Sequence, residues 1–283
     1  MSELLEKAER LKTASQTLAM LSTKEKNAAL EQIAKAIDRE RAFILQENEK
    51  DMAQGREQGL SPALLDRLQL TDKRMDQIID GVRQVASLPD PVGEIIAEWT
   101  RPNGLRIQTV RVPLGVIGMV YEARPNVTVD AASLCLKTGN AVLLRGSTSA
   151  LHSNKALVRV MKEALRTTTV PETAIELLED TSRETAQRMF RLNNYLDVLI
   201  PRGGAGLIRS VVENATVPVL ETGVGNCHMF IDESAERQMA INIVLNAKLQ
   251  RPSVCNAIET VLIHERWPYA ADLLEALHAR GVE

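Results

Sequence analysis

Residues 115–144, Gly-Val-Ile-Gly-Met-Val-Tyr-Glu-Ala-Arg-Pro-Asn-Val-Thr-Val-Asp-Ala-Ala-Ser-Leu-Cys-Leu-Lys-Thr-Gly-Asn-Ala-Val-Leu-Leu, decide the fold class of this 283-residue chain. Gly115 to Tyr121 reads as a strand, roughly Val127 to Thr138 as a helix and Asn140 to Leu144 as a second strand. A strand, a helix and a strand in that order make a βαβ unit. The alternation continues with a helix over Ser153 to Leu165 and strands near Ile175 to Leu178, Leu196 to Ile200 and Val217 to Leu220. Helices near Glu184 to Leu192 and Gly206 to Glu213 separate those strands. The expected fold is therefore α/β, a doubly wound and mostly parallel sheet.

Upstream the spacing is helical. Ser22 and Glu25 form a capping-box pattern, and Leu30, Ile33, Ala34 and Ile37 recur on one face of a helical stretch running from Ser22 to about Gly55. Ser61-Pro62 starts another helix, with proline at the first helical position and Leu64, Leu65 and Leu68 following. Residues 1 to about 88 are thus mostly helix. Beyond the Pro89 to Pro91 break, Ile95, Ala97 and Trp99 alternate with polar residues, Asn103-Gly104 turns the chain, and Leu105, Ile107 and Thr109 alternate again. That is a β-hairpin over 94–111, and an exposed ribbon with Trp99 on one face suits a contact between chains.

The chain is 45% apolar with a net charge of -3, the profile of an ordinary globular protein of two domains. No apolar run reaches the roughly 18 residues that span a bilayer, and the amino terminus is a charged helix start, so a cytoplasmic location is expected. Basic and acidic residues are interspersed, which leaves no footprint for nucleic acid. Cys135, Cys227 and Cys255 show no Cys-x-x-Cys spacing, so neither a disulfide framework nor a metal site is indicated.

Ligands of doubly wound sheets bind at the carboxyl ends of the strands, where two polar turns fall. Arg145-Gly146-Ser147 is one and Pro201-Arg202-Gly203-Gly204-Ala205-Gly206 the other. Gly203, Gly204 and Gly206 would let backbone amides approach a pyrophosphate at a helix start. The spacing is not Gly-x-Gly-x-x-Gly, and a purely structural turn reads equally well. Arg145 could take an adenosine 2′-phosphate or be a surface arginine. A third polar turn, Gln250 to Ala257, follows the helix pattern Glu236 to Lys248, which Pro252 must end, and precedes an apolar strand from Ile258 to Ile263. It sets Cys255 close in sequence to Arg251, and a nearby cation favours thiolate, although an isolated cysteine is also a common small core residue. Cys227 and His228 are adjacent in an extended stretch, where neighbouring side chains point apart. Cys135, His152, His264 and His278 read as packing or surface residues.

Taken together, residues 112–128, 136–146, 200–207, 221–228 and 250–256 resemble the γ-glutamyl phosphate reductases of the aldehyde dehydrogenase superfamily, over essentially the whole chain. The resemblance implies an aldehyde-dehydrogenase-like fold, with a cofactor domain over 1–225 and part of a catalytic domain over 226–283. It implies reduction of L-glutamyl 5-phosphate by NADPH to L-glutamate 5-semialdehyde and phosphate, in proline biosynthesis. Cys255 occupies the position of the thioester-forming nucleophile and Asn126 that of the oxyanion-hole asparagine. Arg124, Arg202 and Arg251 are candidates for the leaving phosphate, and Arg145, Gly146, Ser147, Gly203 and Gly204 for the cofactor. Glu221 stands where oxidising relatives keep a water-activating base; a reductive enzyme needs no hydrolysis, so it is expected to serve structure, phosphate or cofactor. The resemblance also implies homo-oligomers and a functional association with glutamate 5-kinase. Family members continue well beyond the length of this chain, which points to a C-terminal truncation. The alternatives are an inactive remnant that retains nucleotide binding and an oxidising, NAD-dependent aldehyde dehydrogenase.

Overall fold

The structure is a computed structural model that describes residues 2–223, 225–252 and 254–282. Val224 and Ser253, each inside one of the quoted motifs, lie outside the described residues. The chain divides into two compact units, Met1–Thr222 and Gly223–Glu283.

The first unit opens with helices α1 (Glu3–Leu18), α2 (Thr23–Arg39), α3 (Arg41–Glu57), α4 (Pro62–Leu68) and α5 (Asp72–Ser87). The capping box forms: the Ser22 amide donates to Glu25 at 2.9 Å and the Glu25 amide to Ser22 Oγ at 3.3 Å. The single helical stretch expected from Ser22 to Gly55 is in fact two helices, because Glu40 leaves the helical region at φ -93°, ψ 14°. Apolar spacing continues on both sides of that break and so does not reveal it. Ser61 caps α4, with its hydroxyl accepting from the Leu64 amide.

Strands β1 (Ile95–Thr100) and β2 (Arg106–Val110) pair antiparallel, Trp99 opposite Ile107, with Gly104 at φ 84° in the turn. Every residue of β1 is exposed. The main sheet is built from β3 (Val116–Tyr121), β4 (Ala141–Arg145), β5 (Ile175–Leu177) and β6 (Val198–Arg202), all parallel, in the order β5-β4-β3-β6. Helices α6 (Pro125–Lys137), α7 (Leu151–Leu165), α8 (Arg183–Met189) and α9 (Ala205–Asn214) link the strands. Consecutive residues Ala141 to Leu144 of β4 are all buried, which requires cover on both faces of the sheet. Helix α1 packs against β3, β4 and β5, α6 against β3 and β4, α7 against β5 and α9 against β6. The strand expected over Val217 to Leu220 is reduced to one parallel bridge between Val219 and Leu199. Pro218, in the middle of that segment, has no amide to donate, although its carbonyl accepts from Leu199 at 2.8 Å.

The second unit is β7 (His228–Ile231), α10 (Arg237–Leu249), β8 (Thr260–Ile263) and α11 (Ala270–His278), with β7 and β8 parallel. Its core is Ile231, Ala240, Ile241, Val244, Trp267 and Leu273. Trp267 donates its indole N–H to the Ala235 carbonyl at 2.9 Å, which satisfies the one polar atom of that buried ring.

Candidate active site

Strand order reverses between β3 and β6, since β4 and β5 extend the sheet on one side of β3 and β6 on the other. Loops that leave two neighbouring parallel strands in opposite directions open a crevice at their carboxyl ends. Tyr121 and Arg202 are register partners there, and the Glu122 amide donates to the Arg202 carbonyl at 3.3 Å. Arg124 is the N-cap of α6 and Pro125 its first residue, so the helix starts ahead of the expected Val127. Asn126 therefore stands in the first helical turn, exposed. Its Nδ2 donates to Asp130 Oδ2 at 3.0 Å, which uses one of two amide N–H groups and leaves the other for an acceptor.

Thr128, two residues on in the same helix, belongs to a chain of buried polar groups. Tyr121 Oη and Thr128 Oγ1 are 2.7 Å apart, and Thr128 Oγ1 donates to Asn154 Oδ1 at 2.8 Å. Because the threonine proton goes to Asn154, Tyr121 must donate, and burial pushes its phenol well above the ordinary value so that it stays protonated. Asn154 Nδ2 has no hydrogen-bond partner among the described residues. It lies under Gly146, where a Cβ would fall 2.3 Å from Nδ2 and 3.3 Å from the Tyr121 ring. Gly146 is thus required by close approach to α7 and β3. Sequence reasoning missed Tyr121, Thr128 and Asn154, which read as ordinary strand and helix positions.

The glycine-rich turn after β6 is arranged differently from the expectation. Gly204 is the N-cap of α9, and its amide donates to Glu122 Oε1 at 2.8 Å. A Cβ on Gly203 would meet the same carboxylate group at 2.7 Å, so a protein side chain accounts for that glycine. Gly206 lies inside α9 with open space around it and owes nothing to close approach. Arg145 is neither in a turn nor on the surface. It ends β4, half-buried, and donates from Nη2 to the Thr181 carbonyl at 2.6 Å, while its Nε is buried without a hydrogen-bond partner among the described residues. Burial draws its pKa down from the ordinary arginine value, with Asp180 acting in the opposite sense. Ser147 Oγ caps the following short turn, accepting from the Ser149 amide at 3.3 Å. Glu221 follows the bridged segment and is exposed.

In the second unit the cysteine turn joins α10 to β8, so Cys255 is delivered at the amino end of a strand. The Ile258 amide returns to the Ala247 carbonyl at 3.1 Å, and Lys248 Nζ donates to the Ile258 carbonyl at 3.2 Å, tying the turn to the last turn of α10. Arg251 and Cys255 are both exposed. Cys227 and His228 do point to different partners: Cys227 Sγ donates to the Cys255 carbonyl at 3.4 Å, and His228 Nδ1 lies 2.8 Å from the Asn226 carbonyl. The structure thus gathers Glu122, Arg124, Asn126, Arg145, Gly146, Arg202, Gly203 and Gly204 at strand ends of the first unit. Cys255, Arg251 and Cys227 share the cysteine turn and its neighbour in the second.

The model of the aldehyde dehydrogenase family matches residues 2–281. The chain belongs to the aldehyde dehydrogenase family. Among members of that family, the gamma-glutamyl phosphate reductase of Geobacillus kaustophilus (strain HTA426) is 94% identical over 283 residues, all of this chain and 68% of the relative. The crystal structure of the gamma-glutamyl phosphate reductase of Thermotoga maritima superposes with a TM-score of 0.89 at 50% identity, covering 99% of this chain and 68% of that one. The corresponding Saccharomyces cerevisiae structure gives 0.73 at 29% identity, covering 99% and 70%. The chain thus spans about two thirds of the length of the relatives it matches.

Proposed function

We propose that this member of the aldehyde dehydrogenase family acts as a γ-glutamyl phosphate reductase, converting L-glutamyl 5-phosphate to L-glutamate 5-semialdehyde and phosphate with NADPH, as a step of proline biosynthesis. The observation that carries the reading is the 94% identity, over every residue of the chain, to an enzyme of that name. An exposed cysteine on a turn supported from both sides is consistent with it.

The Cys255 thiolate attacks the acyl carbon, the bond to the phosphate oxygen breaks, and a thioester remains on the protein. Negative charge collects on the carbonyl oxygen during attack. By family resemblance Asn126 and the Cys255 amide are the donors that stabilise it, and each such donor lowers the barrier by about 3 to 4 kcal/mol. Arg124, Arg202 and Arg251 neutralise the departing phosphate.

The turn after β4 fits a nicotinamide dinucleotide. Two buried polar atoms without hydrogen-bond partners among the described residues, Asn154 Nδ2 and Arg145 Nε, flank a backbone that must stay free of a side chain at Gly146. Gly146, Ser147 and Arg145 hold the adenosine side, with Arg145 as the cation for a 2′-phosphate, and Gly203 and Gly204 serve the pyrophosphate once the Glu122 carboxylate gives up the Gly204 amide. When bound, the cofactor supplies the hydride that turns the thioester into aldehyde. Glu221 positions cofactor or phosphate. The exposed β1–β2 ribbon is the surface on which a second copy docks.

Incubation with glutamate semialdehyde, phosphate and NADP, followed by NADPH absorbance, tests the reading. Phosphate-dependent NADPH formation by the wild type and its loss in Cys255→Ser are expected. A rate that ignores phosphate, or that survives Cys255→Ser, overturns it.

A further inference from the structure

Cys227 stands immediately before β7, and its carbonyl accepts from the Glu259 and Thr260 amides, at 3.0 and 3.2 Å, where β8 begins. Cys255 lies just upstream of Glu259. The parallel pairing of β7 with β8, His228 opposite Thr260, therefore carries the cysteine turn to Cys227. The outcome is the 3.4 Å contact between Cys227 Sγ and the Cys255 carbonyl oxygen. A carbonyl oxygen is about 2.4 Å from its own Cα, so Cys227 Sγ is within about 6 Å of the Cys255 Cα. Cys255 itself lies outside helix and strand, so χ1 rotation and backbone adjustment around it are available to bring the second sulfur in. Cys255 is exposed and Cys227 half-buried, so oxidant reaches the first before the second.

We infer that Cys227 is a resolving thiol that traps an oxidised Cys255 as a reversible disulfide. Hydrogen peroxide is the oxidant. Its O–O bond breaks as the Cys255 thiolate takes one oxygen, leaving Cys255 sulfenic acid and hydroxide. The Cys227 thiolate then attacks the Cys255 sulfur, the S–S bond forms, the S–O bond breaks and a second hydroxide departs. With the two thiol protons, the balance is two thiols and one peroxide to one disulfide and two waters. Without a neighbouring thiol, sulfenic acid proceeds to sulfinic acid, which simple thiols do not reduce. Paired, Cys255 is silenced and recoverable. The functional consequence rests on Cys255 being the nucleophile; the disulfide itself does not.

Peptide mass spectrometry of the 283-residue chain supplies the test, with peroxide raised until the Cys255 thiol is consumed, alkylation and tryptic digestion. The expected product joins Ser210–Arg237 to Leu249–Arg266, is lighter by two hydrogens than the two reduced peptides together, and separates in dithiothreitol. Cys135, buried in α6 with its thiol pushed up to about 12, remains reduced as an internal control. In Cys227→Ser the disulfide is lost and Cys255 accumulates as sulfinic acid that dithiothreitol does not restore. Cys255 sulfinic acid in the wild type with Cys227 still alkylated, or identical products from wild type and Cys227→Ser, overturns the inference. Neither substrate nor cofactor is present, so a chain without reductase activity still gives a decisive result.

Discussion

Thr128 joins three elements through one hydroxyl: it receives the Tyr121 proton from β3 and passes its own to Asn154 in α7, while its backbone belongs to α6. Thr128→Val keeps the shape and removes both bonds, leaving a phenol and an amide oxygen unsatisfied in the interior. About 1–3 kcal/mol is lost for each such group, and Thr128→Ser restores most of it. Urea unfolding of the three proteins measures the difference; equal midpoints for Val and Ser would show the hydroxyl to be idle. Residues of this kind are illegible in sequence, because Tyr121, Thr128 and Asn154 acquire meaning only once three segments meet. The same holds for Gly203, whose need for a missing side chain comes from Glu122 at the end of another strand. The turn that carries Cys255 was legible for the opposite reason. It is dictated locally, by Pro252 ending α10 and an apolar strand beginning soon afterwards.

Between elements, the connection from α5 to β1 is held by a buried ion pair, Lys26 Nζ to Asp90 Oδ2 at 2.5 Å, with Thr23 Oγ1 donating to the same oxygen at 2.8 Å. Lys137 is buried nearby, bound to Asn27 Oδ1 at 2.6 Å and the Ala86 carbonyl at 2.9 Å. Burial of Asp90 opposes its charge, but donors from Lys26, Thr23 and the Val92 amide outweigh that and hold its carboxyl below the usual range. A folded-state value below the unfolded one stabilises the protein above the unfolded value, near pH 4, and the gain is lost as pH falls through the folded value. Asp90→Asn leaves Lys26 facing a neutral amide, at a cost of about 3–5 kcal/mol at pH 7. The gap between wild type and variant should narrow below about pH 4 as Asp90 itself is protonated. Denaturant titrations at pH 7 and pH 3.5 check this; a gap independent of pH would remove the ion pair from the account. At this scale the sequence was most informative. Short apolar runs set off by polar turns located β3 and β4, and the helical segments between and after them located α6 and α7. The Glu40 break and the loss of a strand over Val217 to Leu220 depend on backbone geometry and on one proline.

For the molecule as a whole, the two units differ in the core each can bury. Among the described residues the second has one cluster of six buried apolar residues, with Ala257 and Ile258 buried outside it, and Phe230 and Leu262, partners across β7 and β8, remain 59% and 50% exposed. The first has a continuous core that runs from α1 through β3 and β4 to Val217. Amide hydrogen exchange should therefore exchange β7, β8 and α10 well before β3 and β4, and matching protection in the two units would contradict the comparison. Composition does not change near residue 222, whereas the parallel sheet was legible from its alternating segments. The central place of β3 carries a cost during synthesis. One edge of Val116 to Tyr121 pairs with β4, which follows at once, but the other waits for β6, which begins only at Val198. At about 5–20 residues per second the ribosome needs roughly 4–15 s to supply it. For that interval the nascent chain presents an apolar strand with an open side, the species a chaperone has to shield.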